Sequence, residues 1–230
     1  MVEVHVTNTS EPPHPALAGR EEESAVLMDA IRRLIAVATA TTAPADATLA
    51  AARELESVAD ALERHVPDPP LPKTMLHLAD GARADGAGAD LAGRMAYDIV
   101  IGRHNPMALP LEVALEPPKA LLRGTFTRPY EGPPGCVHGA VLAGAFDIVC
   151  AAANVIAGVA GPTARLEIVY RRPTLLGEPC VFEGEVEARE GRRVRTVGRL
   201  LQRGRVTVEA TGDFVHLDRE DIARMAAQME

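Results

Sequence analysis

Tryptophan is absent from the 230 residues, and phenylalanine and tyrosine together make up only 3% of them. A chain so poor in flat side chains lacks the platforms on which successive bases stack. It has no surplus of cations either, since 24 Lys and Arg face 32 Asp and Glu for a formal charge of −8. Affinity for a phosphate backbone comes from clustered positive charge, so nucleic acid is not an expected partner. Cysteine is sparse. Cys136, Cys150 and Cys180 are odd in number and widely spaced, which gives neither a CxxC pair nor a disulfide framework and points to a reducing cytoplasm. The histidines at 5, 14, 65, 77, 104, 138 and 216 show no metal-ligand spacing, so no metal and no resident cofactor are expected. The opening Met1-Val2-Glu3-Val4-His5 lacks the basic and apolar regions of a secretion signal.

What is present suffices for one well-packed domain and an appendage: 47% of the residues are hydrophobic and 24% charged. Residues 1–19 are polar, carry Pro12, Pro13 and Pro15, and are expected to be disordered. Between 20 and 66 the chain reads as a helical hairpin. Leu27, Ile31, Leu34, Ile35 and Ala38 recur at helical spacing, Thr42-Ala43-Pro44-Ala45 breaks the pattern, and Asp46 is a candidate N-cap. A second stripe follows at Leu55, Val58, Leu62 and Val66, and both stripes need a surface to pack on. Residues 67–94, with four early prolines and then a Gly/Ala/Asp-rich tract, read as a linker.

A third unit spans 95–217. Strands are expected near 111–115, 120–127, 165–171, 180–189, 193–202 and 205–216, with turns at Glu116–Lys119, Glu190-Gly191 and Arg203-Gly204. One long apolar helix interrupts them after residue 137, and a short helix capped by Asp218 is expected over 218–230. Strands, one buried helix, then an antiparallel meander make an α+β protein in which one sheet wraps one helix.

The run from Val137 to Gly161 is long enough to raise the question of a membrane span. It is rich in Ala and Gly rather than Leu, however, and Asp147 at its middle would cost about 2.5–3.5 kcal/mol on insertion. A buried core helix accounts for it better. A carboxylate alone in such a run is expensive unless something uses it. Just ahead lies Pro133-Pro134-Gly135-Cys136-Val137-His138-Gly139-Ala140, a turn-rich loop that delivers backbone N–H groups at a helix start. Amide donors and a solitary acid suggest acyl transfer or hydrolysis.

The segment Tyr130-Glu131-Gly132-Pro133-Pro134-Gly135-Cys136-Val137-His138-Gly139-Ala140 resembles the loop of hotdog-fold acyl-CoA thioesterases of the phenylacetyl-CoA (PaaI-like) type, which ends in His-Gly-Gly and is followed by a helix bearing an acid. Gly102-Arg103-His104-Asn105-Pro106 and Tyr170-Arg171-Arg172-Pro173 resemble the flanking segments, so the likeness covers about residues 100–216. It implies a hotdog fold, an acyl-CoA substrate, and coenzyme A as part of that substrate rather than a cofactor. By the same resemblance the Gly139 amide is the oxyanion donor, Asp147 the general base or nucleophile, and Thr163 the hydroxyl that orients water. His138 is expected to fix the loop rather than act as a base. Two positions depart from the pattern: Ala140 replaces the second glycine and narrows the substrate site, and Gly132 stands where many relatives carry a substrate-positioning Asn or Gln. Arg171 and Arg172, at a strand end, are candidates for meeting coenzyme A phosphates.

Asp147 follows Gly139 by eight residues, about 12 Å along a helix. No single thioester carbonyl touches both, so if both act on one carbon they come from different subunits. A homodimer, or a dimer of dimers, with composite sites is therefore expected. On the helical wheel Asp147 shares its face with Ala140, Ala143, Gly144, Ala151 and Asn154, while Val141, Leu142, Val149 and Ile156 can pack on the sheet. Two other functions stay open at this point. One is a non-catalytic acyl-CoA-binding protein, given Ala140 and Gly132. The other, an enoyl-thioester hydratase, is disfavoured because Asn105-Pro106-Met107-Ala108 lacks the histidine of an N-P-x-H site.

Overall fold

The computed structural model describes residues 14–71, 73, 91, 95–218, 220, 221 and 224. Six strands, β1 (Leu111–Glu116), β2 (Lys119–Thr125), β3 (Thr163–Tyr170), β4 (Pro179–Glu190), β5 (Arg193–Gln202) and β6 (Arg205–Val215), form one antiparallel sheet in the order β1-β2-β4-β5-β6-β3. Every expected strand is present to within a few residues. Positive φ at Gly191, and at Arg203 and Gly204, makes the two tight turns of the β4–β6 meander. The expected hotdog arrangement results: the long helix α3 (Gly139–Ile156) lies in the curl of the sheet, with Leu142, Ala145, Phe146, Ile148, Val149 and Cys150 buried against it. Its length and composition would also fit a membrane span, but here it is a core helix.

Strand register explains how the helix gets close enough to bury that face. Ala120 pairs with Gly184, Gly184 with Gly198, and Gly198 with Ala210, so a row of small residues crosses four strands beneath α3. A β-carbon at Gly184 would sit 2.6 Å from the Val149 carbonyl oxygen, and one at Gly198 would sit 2.9 Å from the Phe146 ring. Phe146 meets Phe182 edge to face, with ring centroids 5.1 Å apart, and Phe126 meets Phe182 at 6.3 Å. These rings and the aliphatic side chains of β4–β6 form the core.

The wheel reading needs one correction. Asn154, grouped with Asp147 on the open face, is wholly buried, and its Oδ1 accepts from the Thr196 hydroxyl of β5. The curled sheet envelops the last turns of α3, so a face that is open near Asp147 is covered two turns later.

The N-terminal helices are α1 (Glu21–Ala38) and α2 (Ala45–Glu63). Pro44 takes the N-cap position of α2, not Asp46; the acid lies in the first turn, where it complements the positive end of the helix. Residues 14–19, expected to be disordered with 1–13, form a 3₁₀ turn with Leu17 buried. Residues 1–13, most of the expected linker and most of the C-terminal helix lie outside the described residues, although Asp218 does cap, its Oδ1 accepting from the Asp221 N–H at 2.9 Å. Helix α1 docks on residues 95–108. Arg32 donates to the carbonyls of Arg103 (2.8 Å) and Asn105 (2.9 Å), and Ser24 meets His104 Nδ1 at 3.1 Å. By contrast α2 buries none of its residues against the described chain, and Leu55, Val58, Leu62 and Val66 are exposed.

Two predictions follow from this packing. Gly184→Ala pushes a methyl against the α3 backbone, so it should lower the stability read from the denaturant midpoint by about 1–3 kcal/mol without changing the denaturant slope. Burial, with Arg103 and Arg32 nearby and Glu21 opposing them, holds the His104 imidazole below its ordinary pKa. A histidine with a depressed folded pKa stabilises the folded form above its unfolded pKa and loses that contribution as pH falls. Amide protection of α1, corrected for intrinsic exchange, should therefore decline below about pH 6.5, and His104→Gln should flatten the decline.

Candidate active site

The loop before α3 is a small hairpin held at each step. Glu131 bridges to Val137, the Gly132 N–H donates to the Cys136 carbonyl at 2.9 Å, and Gly135 turns the chain at φ +73°. The Glu131 carboxylate accepts from the Gly135 N–H at 2.7 Å and from Arg128, and these bonds hold it below the usual carboxylate range. A second set of bonds ties the loop to residues 174–176, including the Val137 N–H to the Thr174 carbonyl at 2.8 Å. Gly132 has a steric reason here, because a β-carbon would lie 2.8 Å from the His138 Cα. An Asn or Gln cannot occupy this position unless the loop opens.

His138 is exposed and is the N-cap of α3. Its Nδ1 accepts from the Ala140 N–H at 3.0 Å, and its carbonyl accepts from Val141 (3.0 Å) and Leu142 (3.3 Å). An accepting Nδ1 requires the neutral ring with its proton on Nε2. The His138 N–H itself donates to the Tyr130 carbonyl at 2.9 Å. Of the amides from 138 to 142, only that of Gly139 has no acceptor among the described residues. It sits at the first position of an 18-residue helix, where the dipole favours negative charge.

Two turns along α3, half-buried Asp147 accepts through Oδ1 from the Thr163 hydroxyl at 2.7 Å. Thr163, expected from the resemblance to orient water, thus lies against Asp147 itself. Thr163 opens β3, and the same strand closes on Tyr170, whose hydroxyl donates to the Gly139 carbonyl at 2.9 Å. Sequence reasoning gave Tyr170 no role. The signal was there in the alternation Leu166, Ile168, Tyr170, which turns all three toward the helix side of the sheet. Ala140 is exposed beside His138 at the helix start.

Arg171 and Arg172 are not brought to this site. Arg171 lies on the outer sheet face and pairs with Glu209 at 2.7 Å, while Arg172 donates to the Val206 carbonyl at 2.9 Å. The arginine-rich stretch is largely consumed in such pairs, among them Arg199–Glu183, Arg193–Asp213 and Arg192–Asp221. Lys119, Glu183, Arg199, Glu209 and Arg171 line a depression of about 410 Å³ on that outer face. Among the described residues no group of three His, Cys, Asp or Glu side chains could hold a metal ion.

A family model described as the thioesterase superfamily matches residues 134–209. The crystal structure of a thioesterase superfamily protein is 32% identical to this chain, covers 90% of it and 94% of its own length, and superposes with a TM-score of 0.72. Smaller proteins match just under half of the chain at lower identity. The Escherichia coli PaaI protein from the phenylacetic acid degradation operon is 16% identical, covering 47% of this chain and 80% of its own, with a TM-score of 0.44. A hypothetical thioesterase from Streptococcus pneumoniae TIGR4, solved with coenzyme A, is 18% identical, covering 46% and 87%, with a TM-score of 0.43. No curated protein matches the chain.

The buried thiols beside the site provide a check on its packing. Burial, with the Asp147 charge adding to it, pushes Cys150 up to about 12, and burial pushes Cys180 up to about 11. A thiol-reactive chromophore at pH 8 should therefore label part-exposed Cys136 alone in the native protein and all three cysteines in denaturant.

Proposed function

The chain belongs to the thioesterase superfamily, and from that premise we propose that it hydrolyses an acyl-CoA thioester to the free acid and coenzyme A at sites shared between two copies. The observation that carries the reading is the unpartnered Gly139 amide at the start of α3, on the same helix as an acid already held by a hydroxyl. The amide has the chemistry to stabilise the oxyanion that forms as a thioester carbonyl is attacked. With Thr163 on Oδ1, the Asp147 Oδ2 is left to take a proton from water, or to attack the carbonyl itself. In the general-base route water adds to the carbonyl carbon as Asp147 takes its proton, the C–S bond breaks, and the leaving thiolate takes up that proton to give coenzyme A.

On this reading the two groups come from different copies, because about 12 Å of helix lies between them, so that Asp147 of one protomer works with the partner's Gly139. Support for the pairing comes from β3, which ends the sheet and exposes five of its eight residues. An open edge of that length is a template for a further strand. It also lies beside both groups, through Thr163 and Tyr170. A cytoplasmic location and the acyl group taken are further parts of the proposal; the Ala- and Gly-rich sequence of the helix suits a medium chain or an aromatic acid.

The test is thiol release from a panel of aliphatic and aromatic acyl-CoA thioesters, run beside a mass measurement of the assembly. Asp147→Ala should cost at least about 100-fold in kcat with the circular dichroism unchanged. Gly139→Pro removes the N–H at a position where helices accept proline, His138 already has the extended backbone that a following proline requires, and the Tyr170 ring, 3.1–3.4 Å from the added β-carbon, has to give by a few tenths of an ångström. Mixing and reassembling the two inactive variants should restore about a quarter of wild-type activity, since half the dimers are mixed and each has one intact site. No recovery would sink the shared site, and tight coenzyme A binding without thiol release would favour a binding protein.

A further inference from the structure

We infer that Tyr170 is a positioning residue for the Gly139 amide, an inference that rests on the hydrolase reading. Glycine at the first position of a helix is the residue least able to hold its own peptide planes, because no side chain restricts its backbone. A useful oxyanion donor must nevertheless be fixed before the reaction begins, since reorientation during the step would cancel the gain. Three bonds fix the neighbourhood from the loop side: the His138 N–H to the Tyr130 carbonyl, the Ala140 N–H to His138 Nδ1, and the Val141 N–H to the His138 carbonyl. The last of these holds the peptide plane that carries the Gly139 N–H, but none of them touches the Gly139 α-carbon or carbonyl oxygen directly.

Tyr170 does so twice. Its hydroxyl donates to the Gly139 carbonyl at 2.9 Å. Its ring lies where a β-carbon would stand, with the hydroxyl oxygen at 3.1 Å and Cζ at 3.2 Å from that position. The glycine therefore has two causes, and one is this ring. The Tyr170 side chain is half exposed, so the contact is not a by-product of deep burial, and the phenol gives up solvent on one side to make it. A donor on the first-turn carbonyl also adds positive charge beside the amide, in the sense that favours an oxyanion.

Strand β3 thereby acts as a clamp with two jaws. Thr163 at its start holds Asp147, and Tyr170 at its end holds Gly139. The strand that supports the acid of one composite site supports the amide of the other.

Tyr170→Phe tests the inference, because it keeps the ring and removes only the hydroxyl. The expected result is a fall in kcat of roughly three- to tenfold, the range of one lost hydrogen bond, with KM unchanged and an unaltered melting curve. The backbone amide resonances of Gly139 and Ala140 should both shift, since the bonded carbonyl shares its peptide plane with the Ala140 N–H, and hydrogen exchange at Gly139 should quicken while His138 keeps Ala140 protected. A variant with wild-type kcat and an unmoved Gly139 amide would overturn the assignment, as would a loss confined to KM. If the wild-type protein releases no thiol from any thioester, the hydrolase reading fails by itself, and the amide measurement still decides whether Tyr170 positions Gly139.

Discussion

The structure depends on how closely α3 can lie on its sheet. A helix packed over ordinary side chains rides at about 10 Å, whereas a row of alanine and glycine lets backbone approach backbone. Ala120, Gly184, Gly198 and Ala210 make that row, and the contact between Gly184 and the Val149 carbonyl marks its closest point. Depth sets everything downstream. It sinks Phe146 and Val149 completely, leaves Asp147 at the rim where a strand-edge hydroxyl can reach it, and points the first turn of the helix at the loop that caps it. A helix held a few ångströms higher would lift Asp147 away from Thr163 and take Gly139 away from Tyr170.

Much of this was legible in the sequence because it is periodic. Alternation gave the strands, Glu190-Gly191 and Arg203-Gly204 gave the turns, and the long apolar run gave the helix. The lone acid within that run, and the loop ahead of it, marked the candidate site. What stayed hidden was the set of contacts that depend on residues far apart in sequence. No local pattern shows that Gly132 is small because His138 crosses it, that Gly139 is small because a tyrosine 31 residues later lies against it, or that Asn154 turns under the sheet to reach Thr196. The absence of a side chain looks the same in a sequence whether a ligand, a ring or a backbone fills the space.

The arginines show a related limit. Arg171 and Arg172 stood in the sequence as candidates for phosphates, but opposite charges stand across from the strand arginines in the neighbouring strands. Glu183 faces Arg199, and Arg199 faces Glu209, so a ladder of alternating sign crosses the outer sheet face and ends on Arg171. Exposed pairs of this kind are worth little in stability, about 0–1 kcal/mol each. Their effect is on the field: in a ladder of alternating sign, neighbouring charges offset much of each other's pull on an approaching polyanion. Counting charge along the chain overestimates what a sheet displays, because register and not sequence decides which charges cancel.

The N-terminal helices join the fold unequally, and the reason is polar rather than apolar. Helix α1 is fastened by Arg32 on the carbonyls of 103 and 105 and by Ser24 on His104, next to the segment on which Tyr130 also leans, its hydroxyl donating to the Ala108 carbonyl. Tyr130 in turn receives the His138 N–H on its carbonyl. A continuous set of contacts therefore runs from α1 through residues 102–108 to the residue before Gly139. Helix α2 has no such fastening, and its stripe faces outward. Most helical stability in proteins comes from packing one face. Acidic side chains, Glu54, Glu56, Asp60 and Glu63, flank the stripe on α2, so antiparallel or parallel pairing of two copies through it would set like charges side by side. The same composition that makes α2 amphipathic thus argues against a homotypic helix pair, and it separates the α2 surface from the β3 edge as a place for two copies to meet.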